Sequence, residues 1–257
     1  MKGFIILAQN SDIDYVTCAE VLANSIRKTM PNSNITLLTN DITSSDYFDN
    51  VIELPYGDMG GMHNDWQVYD ASPYEYTIKL EADMFLPNSI EYWWDILSKR
   101  DVVVCNTIRS FKQDISLVKH YREFIYMNNL PDVYNAITYF KKSDNAEYFY
   151  KLVRNIFENW EDYKKILKCD NDEPATTDWV YSIACHIMGV ENTTLPNFTQ
   201  MSMIHMKQYI NNTAHIDWTK ELVYECNDTL KINTFPQRYP FHYYIKDFAK
   251  ELKVNYG

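Results

Sequence analysis

The beginning of the chain places the strongest constraint on the fold. Phe4 to Ala8 is a short, uninterrupted apolar run, which is typical of a β-strand buried on both faces. Ser11 to Asp14 supplies helix-start residues, and apolar residues then recur at helical spacing from Val16 to Ile26. A second apolar run, Ile35 to Thr39, follows Pro31. A strand, a helix and a strand in this order predict a right-handed parallel unit, and therefore a doubly wound α/β sheet.

The rest of the chain extends this pattern. Its 257 residues contain no internal repeat, low-complexity tract or flexible linker, so we predict one domain over 1–257. Further strands are predicted at Val51–Leu54, Thr77–Leu80, Val102–Cys105 and Met201–Ile204. Further helices are predicted from Asn88 to about Ser98, from Asp144 to about Lys168, and from about Thr177.

Charge and cysteine content narrow the classes of protein. The formal net charge is −11, which does not suit non-specific coating of nucleic acid, because phosphate contacts need clustered lysines and arginines. The five cysteines are odd in number and form no Cys-x-x-Cys pair, which argues against a disulfide framework and a zinc knuckle. The run at Phe4–Ala8 is too short for a signal peptide or a membrane span. We therefore expect a cytoplasmic protein with no membrane association.

Basic residues are nevertheless clustered at three places, near 112–122, at 141–142 and at 164–168. Two interpretations of these clusters stay open. They are solvated helix faces, or they form a local rim that contacts a polyanion.

The sequence at the end of the Thr77–Leu80 strand carries the chemistry. Glu81 and Asp83 stand where the strand ends and a loop begins. In parallel sheets, ligands bind in the crevice beyond the carboxyl ends of the strands. Carboxylates there can hold a hard divalent cation, and that cation can neutralise a departing diphosphate. The alternative is structural, because acidic pairs at strand ends also cap helices or bind water.

Several enzyme classes lack their signatures in this chain. No glycine-rich turn follows the first strand, which excludes a nicotinamide enzyme. There is no Gly-x-x-x-x-Gly-Lys phosphate loop and no Gly-x-Ser-x-Gly elbow. The glycine-rich opening of a sugar nucleotidyltransferase is also missing.

Glu81-Ala82-Asp83 resembles the Asp-x-Asp motif of the GT-A glycosyltransferases, and the likeness extends through most of the chain. The segment from Phe4 to Asn10 looks like the uridine-binding start of that fold, and Tyr134–Phe140 is similar to its acceptor-side strand. Met203–Lys207 looks like the late His-x-x-Gly-x-x-Lys segment of glycogenin-like members. Two departures are evident: Glu81 replaces an aspartate, and the late segment lacks the expected glycine. The resemblance implies a GT-A fold with a mostly parallel central sheet and helices on both faces.

The resemblance also implies roles for individual residues. It implies a nucleotide-sugar-binding half at 1–105 and an acceptor-side half at 106–257. His63, Asp65 and Trp66 are interpreted either as a lip of the acceptor site or as a loop packed by its own aromatic residues. The implied metal ligands for Mn²⁺ or Mg²⁺ are Glu81, Asp83 and His205; the implied donor contacts are Ala8, Gln9, Asn10, Tyr15, Lys79, Glu81 and Lys207; and the implied sugar-contacting or catalytic carboxylates are Asp172, Glu173 and Asp178.

Two of these roles have competing interpretations. Lys79 either contacts the donor, faces solvent or pairs with an acid. Asp178 either acts on the sugar or is a favourable negative charge at a helix N-terminus.

The implied reaction is transfer of a hexose or pentose from a nucleotide-sugar to a hydroxyl group, and the resemblance implies a UDP-sugar as the donor. The chain further resembles glycosyltransferases of T-even-type phages, which implies 5-hydroxymethylcytosine in phage DNA as acceptor and the cytoplasm of an infected bacterium as location. The alternatives are a glycan, lipid or protein acceptor, or a non-catalytic module that binds nucleotide-sugars. Glycogenin-like members favour retention of configuration, but the motif itself decides neither stereochemistry nor oligomeric state.

Overall fold

The computed structural model describes residues 1–42, 45–116, 122–168, 173–196, 201–206, 217–227 and 229–256, with side chains up to 253. The strands are β1 (Lys2–Ala8), β2 (Ile35–Thr39), β3 (Asn50–Glu53), β4 (Tyr76–Glu81), β5 (Met84–Phe85), β6 (Val102–Cys105), β7 (Ile108–Arg109), β8 (Ile115–Ser116), β9 (Tyr134–Lys141), β10 (Met203–His205), β11 (Tyr224–Cys226), β12 (Leu230–Ile232), β13 (Phe235–Pro236) and β14 (Phe241–His242). The helices are α1 (Tyr15–Thr29), α2 (Val68–Ala71), α3 (Trp93–Leu97), α4 (Glu123–Met127), α5 (Asp144–Glu158), α6 (Trp160–Ile166), α7 (Thr177–Met188), α8 (Val190–Thr193), α9 (Trp218–Glu221) and α10 (Phe248–Tyr256), and a 3-10 helix spans Gly61–Gln67.

The central sheet has six strands in the order β3-β2-β1-β4-β9-β6. β3, β2, β1 and β4 are parallel neighbours, and Leu7 of β1 lies opposite Glu81 of β4. β9 runs antiparallel between β4 and β6, with Ile137 opposite Leu80. The carboxyl ends of β1 and β4 and the beginning of β9 therefore lie along one edge of the sheet. The predicted α/β architecture with a mostly parallel sheet is confirmed.

The apolar run of β1 is buried on both faces, as its sequence predicts. Phe4 and Ile6 belong to one hydrophobic core, together with the buried face of α1. Ile5 belongs to a second core on the opposite face, together with α5 and α7. Because successive side chains of a strand point to opposite faces, one strand contributes to both cores.

A second sheet brings the late part of the chain to the end of β4. Its order is β5-β14-β10-β7-β8. β5 begins directly after Asp83, and it pairs with β14 so that Met84 lies opposite His242. The amide of Tyr243 donates to the carbonyl of Asp83 over 3.1 Å. This pairing fixes His242 beside the Glu81-Ala82-Asp83 segment.

Two predicted helices differ from the observed ones. The helix predicted from Asp144 to Lys168 is broken at Asn159, because the chain turns there and buries Trp160, whose indole N–H donates to the carbonyl of Glu173. The helix predicted from Asn88 begins only at Trp93. The two expected capping side chains are used elsewhere, since Asn88 donates to the carbonyl of Arg238 and Glu91 pairs with Lys2.

Within the described residues, the helices are too short or too polar to cross a lipid bilayer.

Candidate active site

A cavity of about 680 Å³ opens at the edge of the sheet where β1 and β4 end. Gln9, Asn10 and Tyr15 line it, whereas Ala8 is buried at the end of β1 and is not part of the lining. The other walls come from 58–65, 81–83, 173–179 and 242–246, with Asn40 and Arg122.

The loop after β1 is held in a defined conformation. The side-chain oxygen of Asn10 accepts from the amide of Val16 over 3.0 Å, at the start of α1. The backbone N–H of Asn10 donates to Asn40 over 2.8 Å, and its side-chain amide donates to Asp41 over 3.0 Å. Asp14 caps α1 by accepting from the amide of Thr17. This wall of the cavity is therefore preorganised by side-chain hydrogen bonds.

Glu81, Asp83 and His242 form a compact cluster in the cavity. One potential ligand atom from each residue lies within 4.8 Å of the other two. Nε2 of His242 is 3.1 Å from a carboxylate oxygen of Asp83 and 3.3 Å from one of Glu81. Within the residues that the structure describes, His242 is the histidine that joins these carboxylates.

His205, the histidine assigned from the sequence, lies one strand behind this cluster. In the parallel pairing of β10 with β14, His205 is opposite His242. The two Nδ1 atoms are 2.8 Å apart, and the ring centroids are 4.8 Å apart. The structure thus brings Glu81 and Asp83 together as expected, and places His205 behind the histidine that faces them.

Lys246 is the second cavity residue that the sequence reasoning missed. Its ammonium group donates to Asp83 and lies 5.6 Å from the ring centres of Tyr15 and Tyr244. The segment from His242 to Lys246 places a histidine and a lysine four residues apart, directly after a buried strand. That spacing is the signal that could have identified the pair. Lys207, the lysine assigned from the sequence, lies outside the described residues.

The two carboxylates of the cluster have opposite pKa shifts. Burial raises the pKa of Glu81, and the nearby Lys79 and His242 offset only part of this shift. Burial also acts to raise the pKa of Asp83, but His242 and Lys246 outweigh it and hold this pKa well below its usual range. Burial lowers the pKa of Lys246, and Asp83 more than compensates, so the pKa of Lys246 is raised. Asp83 is therefore the carboxylate that stays ionised most readily.

A buried arginine holds Asp178 at the opposite wall. Arg122 is 1% exposed, and its guanidinium pairs with Asp178 over 2.8 Å and with Asp132 over 2.5 Å. The other oxygen of Asp178 accepts from the amide of Asn135 over 2.9 Å. Since both oxygens already accept hydrogen bonds, Asp178 is oriented toward the cavity as a fixed acceptor. Glu173 lines the cavity at its exposed rim, and Asp172 lies outside the described residues.

Lys79 lies beneath the cavity and does not line it. Its side chain is 0% exposed, its ammonium pairs with Asp65 over 2.7 Å, and it donates to the carbonyl of Asn135 over 3.1 Å. Of the interpretations from sequence, pairing with an acid agrees with this position and exposure to solvent does not. Asp65 lines the cavity and also accepts from the hydroxyl of Tyr181 and, over 3.0 Å, from the side chain of Asn135.

The other two residues of the predicted lip pack against aromatic side chains. Trp66 is buried beside Tyr56, with ring centroids 4.9 Å apart. The ring of His63 lies 5.0 Å from that of Phe157. Of the lip residues, Asp65 is the one that reaches the cavity wall.

Several residues of the basic clusters contact neighbouring acids or carbonyl groups. Lys141 pairs with Asp101 over 2.9 Å, and Lys142 donates to the carbonyl of Tyr69, with a pKa lowered by desolvation of its ammonium group. Lys164 and Lys165 pair with acids on their own helix. Residues 117–121, which belong to the first cluster, lie outside the described residues.

Comparisons with known proteins identify the fold. No protein-family model matches the chain, and no curated protein matches it. Solved glycosyltransferases do resemble it. The galactosyltransferase LgtC, in complex with donor and acceptor sugar analogs, aligns over 99% of this chain and 95% of its own, with 13% identity and a TM-score of 0.56.

Mouse xyloside xylosyltransferase 1 aligns over 95% of this chain and 98% of its own, with 8% identity and a TM-score of 0.51. The apo form of the glycosyltransferase GlyE from Streptococcus pneumoniae aligns over 99% of this chain with 10% identity and a TM-score of 0.52. The chain spans 60% of that GlyE chain, and 46% of another solved GlyE chain. At these identities the likeness concerns the backbone, and it shows that the chain has the GT-A glycosyltransferase fold.

Proposed function

We propose that this protein is a metal-dependent glycosyltransferase that transfers a sugar from a nucleotide-sugar to a hydroxyl group. One observation carries the proposal: Glu81, Asp83 and His242 converge, with Lys246, at the carboxyl end of β4 in a cavity of a GT-A fold. Ligands of open α/β sheets bind at this edge. The two carboxylates and the imidazole suit a divalent cation, and the ammonium group suits the phosphates that the cation accompanies.

The donor set of the cluster fits a divalent metal ion. Carboxylate oxygens are ligands for hard cations, and an imidazole nitrogen favours Mn²⁺ over Mg²⁺. Glu81, Asp83 and His242 would hold the ion, with Asp83 as the anchoring carboxylate because its pKa is lowered. When bound, the ion would neutralise part of the negative charge on the departing nucleoside diphosphate.

The chain's own residues would hold the rest of the donor. Lys246 is on a flexible four-carbon side chain and would exchange Asp83 for a phosphate oxygen once the donor is bound. Gln9 and Asn10, in the loop fixed by Asn40, would contact the base, and Tyr15 offers a half-buried ring for stacking. We take uridine as the base on the strength of the family resemblance.

Asp178 and Asp65 would contact the transferred sugar. Both are carboxylates fixed by buried cations, Asp178 by Arg122 and Asp65 by Lys79. Such carboxylates can accept hydrogen bonds from sugar hydroxyls without moving, which orients the reacting carbon. Because Arg122 stabilises the ionised form of Asp178, we assign this residue to sugar orientation and not to proton abstraction.

The charges around the cavity favour an uncharged acceptor, such as a hydroxyl of a neutral glycan. A duplex DNA acceptor needs a row of free cations beside the site. Lys141, Lys164 and Lys165 pair with acids, Lys142 donates to the carbonyl of Tyr69, and Arg122 is enclosed by acids. The cavity mouth also presents Asp58 and Glu173. Hydroxymethylated DNA is therefore the second candidate, and a module that binds nucleotide-sugars without turnover is the third.

Turnover of a panel of nucleotide-sugars tests the proposed reaction. The measured quantity is free nucleoside diphosphate, with Mn²⁺ or with a chelator, for wild type and Asp83→Asn. We expect slow release from one donor, dependent on Mn²⁺ and lost in the variant. Binding of a donor without any release would favour the non-catalytic module. Adding neutral oligosaccharides or hydroxymethylated DNA then separates the two acceptor classes, since the correct acceptor accelerates release.

A further inference from the structure

We infer that His205 is a positioning residue for the metal site, and that it holds His242 in the tautomer that can bind a metal through Nε2. The inference rests on the proposed function for the presence of a metal, and on the geometry of the two rings for the role of His205. It gives a part in the site to a buried histidine that lies outside the Glu81, Asp83 and His242 cluster.

The two rings are held together by the backbone and by packing. Parallel pairing of β10 with β14 sets His205 opposite His242. The two ring planes are nearly parallel, with an interplanar angle of 18°. Tyr134 packs edge-on against His205 with centroids 5.8 Å apart, and His205 is only 2% exposed. His205 therefore has little freedom to turn away from its partner.

The short Nδ1–Nδ1 distance restricts where the protons lie. At 2.8 Å the two nitrogens share one hydrogen bond, so one of them carries a proton and the other accepts it. A neutral imidazole carries one ring proton. If Nε2 of His242 is to offer a lone pair to a metal, the proton of His242 must be on Nδ1 and must point at Nδ1 of His205. His205 then accepts and carries its own proton on Nε2.

The opposite arrangement would block metal binding. If His205 donates from Nδ1, the proton of His242 lies on Nε2 and faces Asp83 and Glu81, which are 3.1 and 3.3 Å away. The side chain of residue 205 thus decides whether Nε2 of His242 is a metal ligand or a hydrogen-bond donor. Groups that fix the second nitrogen of a metal-bound histidine typically change metal affinity by about 10- to 100-fold.

Manganese binding by full-length variants tests this role. The readout is the dissociation constant for Mn²⁺, from the electron paramagnetic resonance signal of the free ion, which needs no donor or acceptor. We expect His205→Leu to bind Mn²⁺ about 10- to 100-fold more weakly than wild type. His205→Asn places an acceptor oxygen near the original Nδ1, and we expect its affinity to stay within about threefold of wild type. Met203→Leu, a buried change on the same strand, is the matched control and should bind like wild type.

A loss in His205→Leu that His205→Asn does not restore would show a packing role and overturn the inference, as would wild-type affinity in His205→Leu. Should His205→Leu fail to fold, ¹⁵N spectra of the histidine rings in wild type with Cd²⁺ as a diamagnetic ion decide the matter. The inference requires a proton on Nδ1 of His242 and on Nε2 of His205, and a bare Nδ1 on His242 overturns it.

If wild type binds no divalent metal at all, both the proposed function and this inference fail. Equal Mn²⁺ binding by wild type and His205→Leu removes only the role of His205.

Discussion

Lys246 donates a hydrogen bond from its ammonium group to Asp83, a residue 163 positions earlier in the chain. The lysine neutralises the carboxylate that we assign as the main metal ligand. Lys246 and a metal ion therefore compete for Asp83, and both are expected to attract the diphosphate of a donor. We therefore expect a substitution of Lys246 to weaken binding of the donor but not binding of the metal ion.

Lys246→Met is expected to weaken binding of the nucleotide-sugar by about tenfold or more, because a charged hydrogen bond to a phosphate is lost. The same variant is expected to bind Mn²⁺ at least as tightly as wild type when no nucleotide is present, since the competing ammonium group is gone. Calorimetric titration of each ligand measures both effects. Lys250→Met is the control, because Lys250 is an exposed lysine of α10 that pairs with Asp247. Weaker Mn²⁺ binding in Lys246→Met would contradict this arrangement.

Removal of the buried lysine under the cavity is expected to destabilise the protein. Lys79→Met leaves Asp65 buried without its cation, which typically costs about 3–5 kcal/mol. Adding Asp65→Asn removes the unpaired charge, so the double variant should be more stable than Lys79→Met alone. Urea unfolding gives the free energies. Lys151→Met, which breaks the exposed pair with Glu147, should lower the free energy of unfolding far less than Lys79→Met. An equal effect of the two lysine substitutions would show that the buried pair does not hold the cavity floor.

Asp178→Asn separates sugar orientation from proton abstraction. The variant keeps the shape of the side chain and an acceptor oxygen, but weakens the pairing with Arg122. We expect kcat to fall about tenfold, with the pH profile of kcat unchanged. A general base in the same place would contribute about 10²–10⁴-fold and would set one limb of that profile. A loss above a thousandfold, accompanied by loss of that limb, would return Asp178 to the role of base.

The described cysteines are expected to resist thiol reagents in the native protein. Burial raises the pKa of Cys18 and of Cys226 to about 11, and that of Cys105 and of Cys185 to about 12. At pH 8 their reactive thiolate forms are therefore scarce, and the side chains are also enclosed. In a Cys169→Ser variant, we expect a thiol reagent to label none of the four remaining cysteines at pH 8 until denaturant is added. The labelling rate should rise as the pH approaches 11. Rapid native labelling at pH 8 would contradict this burial.

Local sequence signals predicted the elements that form the β1 and β4 walls of the cavity. The apolar run of β1, the Asp14 cap of α1 and the carboxylates at the end of β4 are each encoded within a few residues, and each lies where its pattern indicates. Gln9, Asn10 and Tyr15 could be placed at the same edge because parallel strands end together. Their roles in binding a donor stay predictions.

Long-range pairing explains what the sequence did not reveal. The choice between His205 and His242 depends on the pairing of β5 with β14, which joins Met84 to His242. No local pattern reports a contact over that separation. The antiparallel direction of β9 was also hidden, because a strand buried on both faces has the same apolar run in either direction. The break at Asn159 depends on a hydrogen bond from Trp160 to Glu173, which is again not a local feature.

The most direct test of the cluster compares the rate of nucleoside diphosphate release between two variants, His242→Gln and His186→Gln. With Mn²⁺ and the donor identified from the panel, we predict that His242→Gln loses at least about a hundredfold of the wild-type rate, because a metal ligand is lost. His186→Gln, which changes an exposed histidine of α7, should keep the wild-type rate. A wild-type rate in His242→Gln would contradict the assignment of Glu81, Asp83 and His242 as the metal site of a glycosyltransferase.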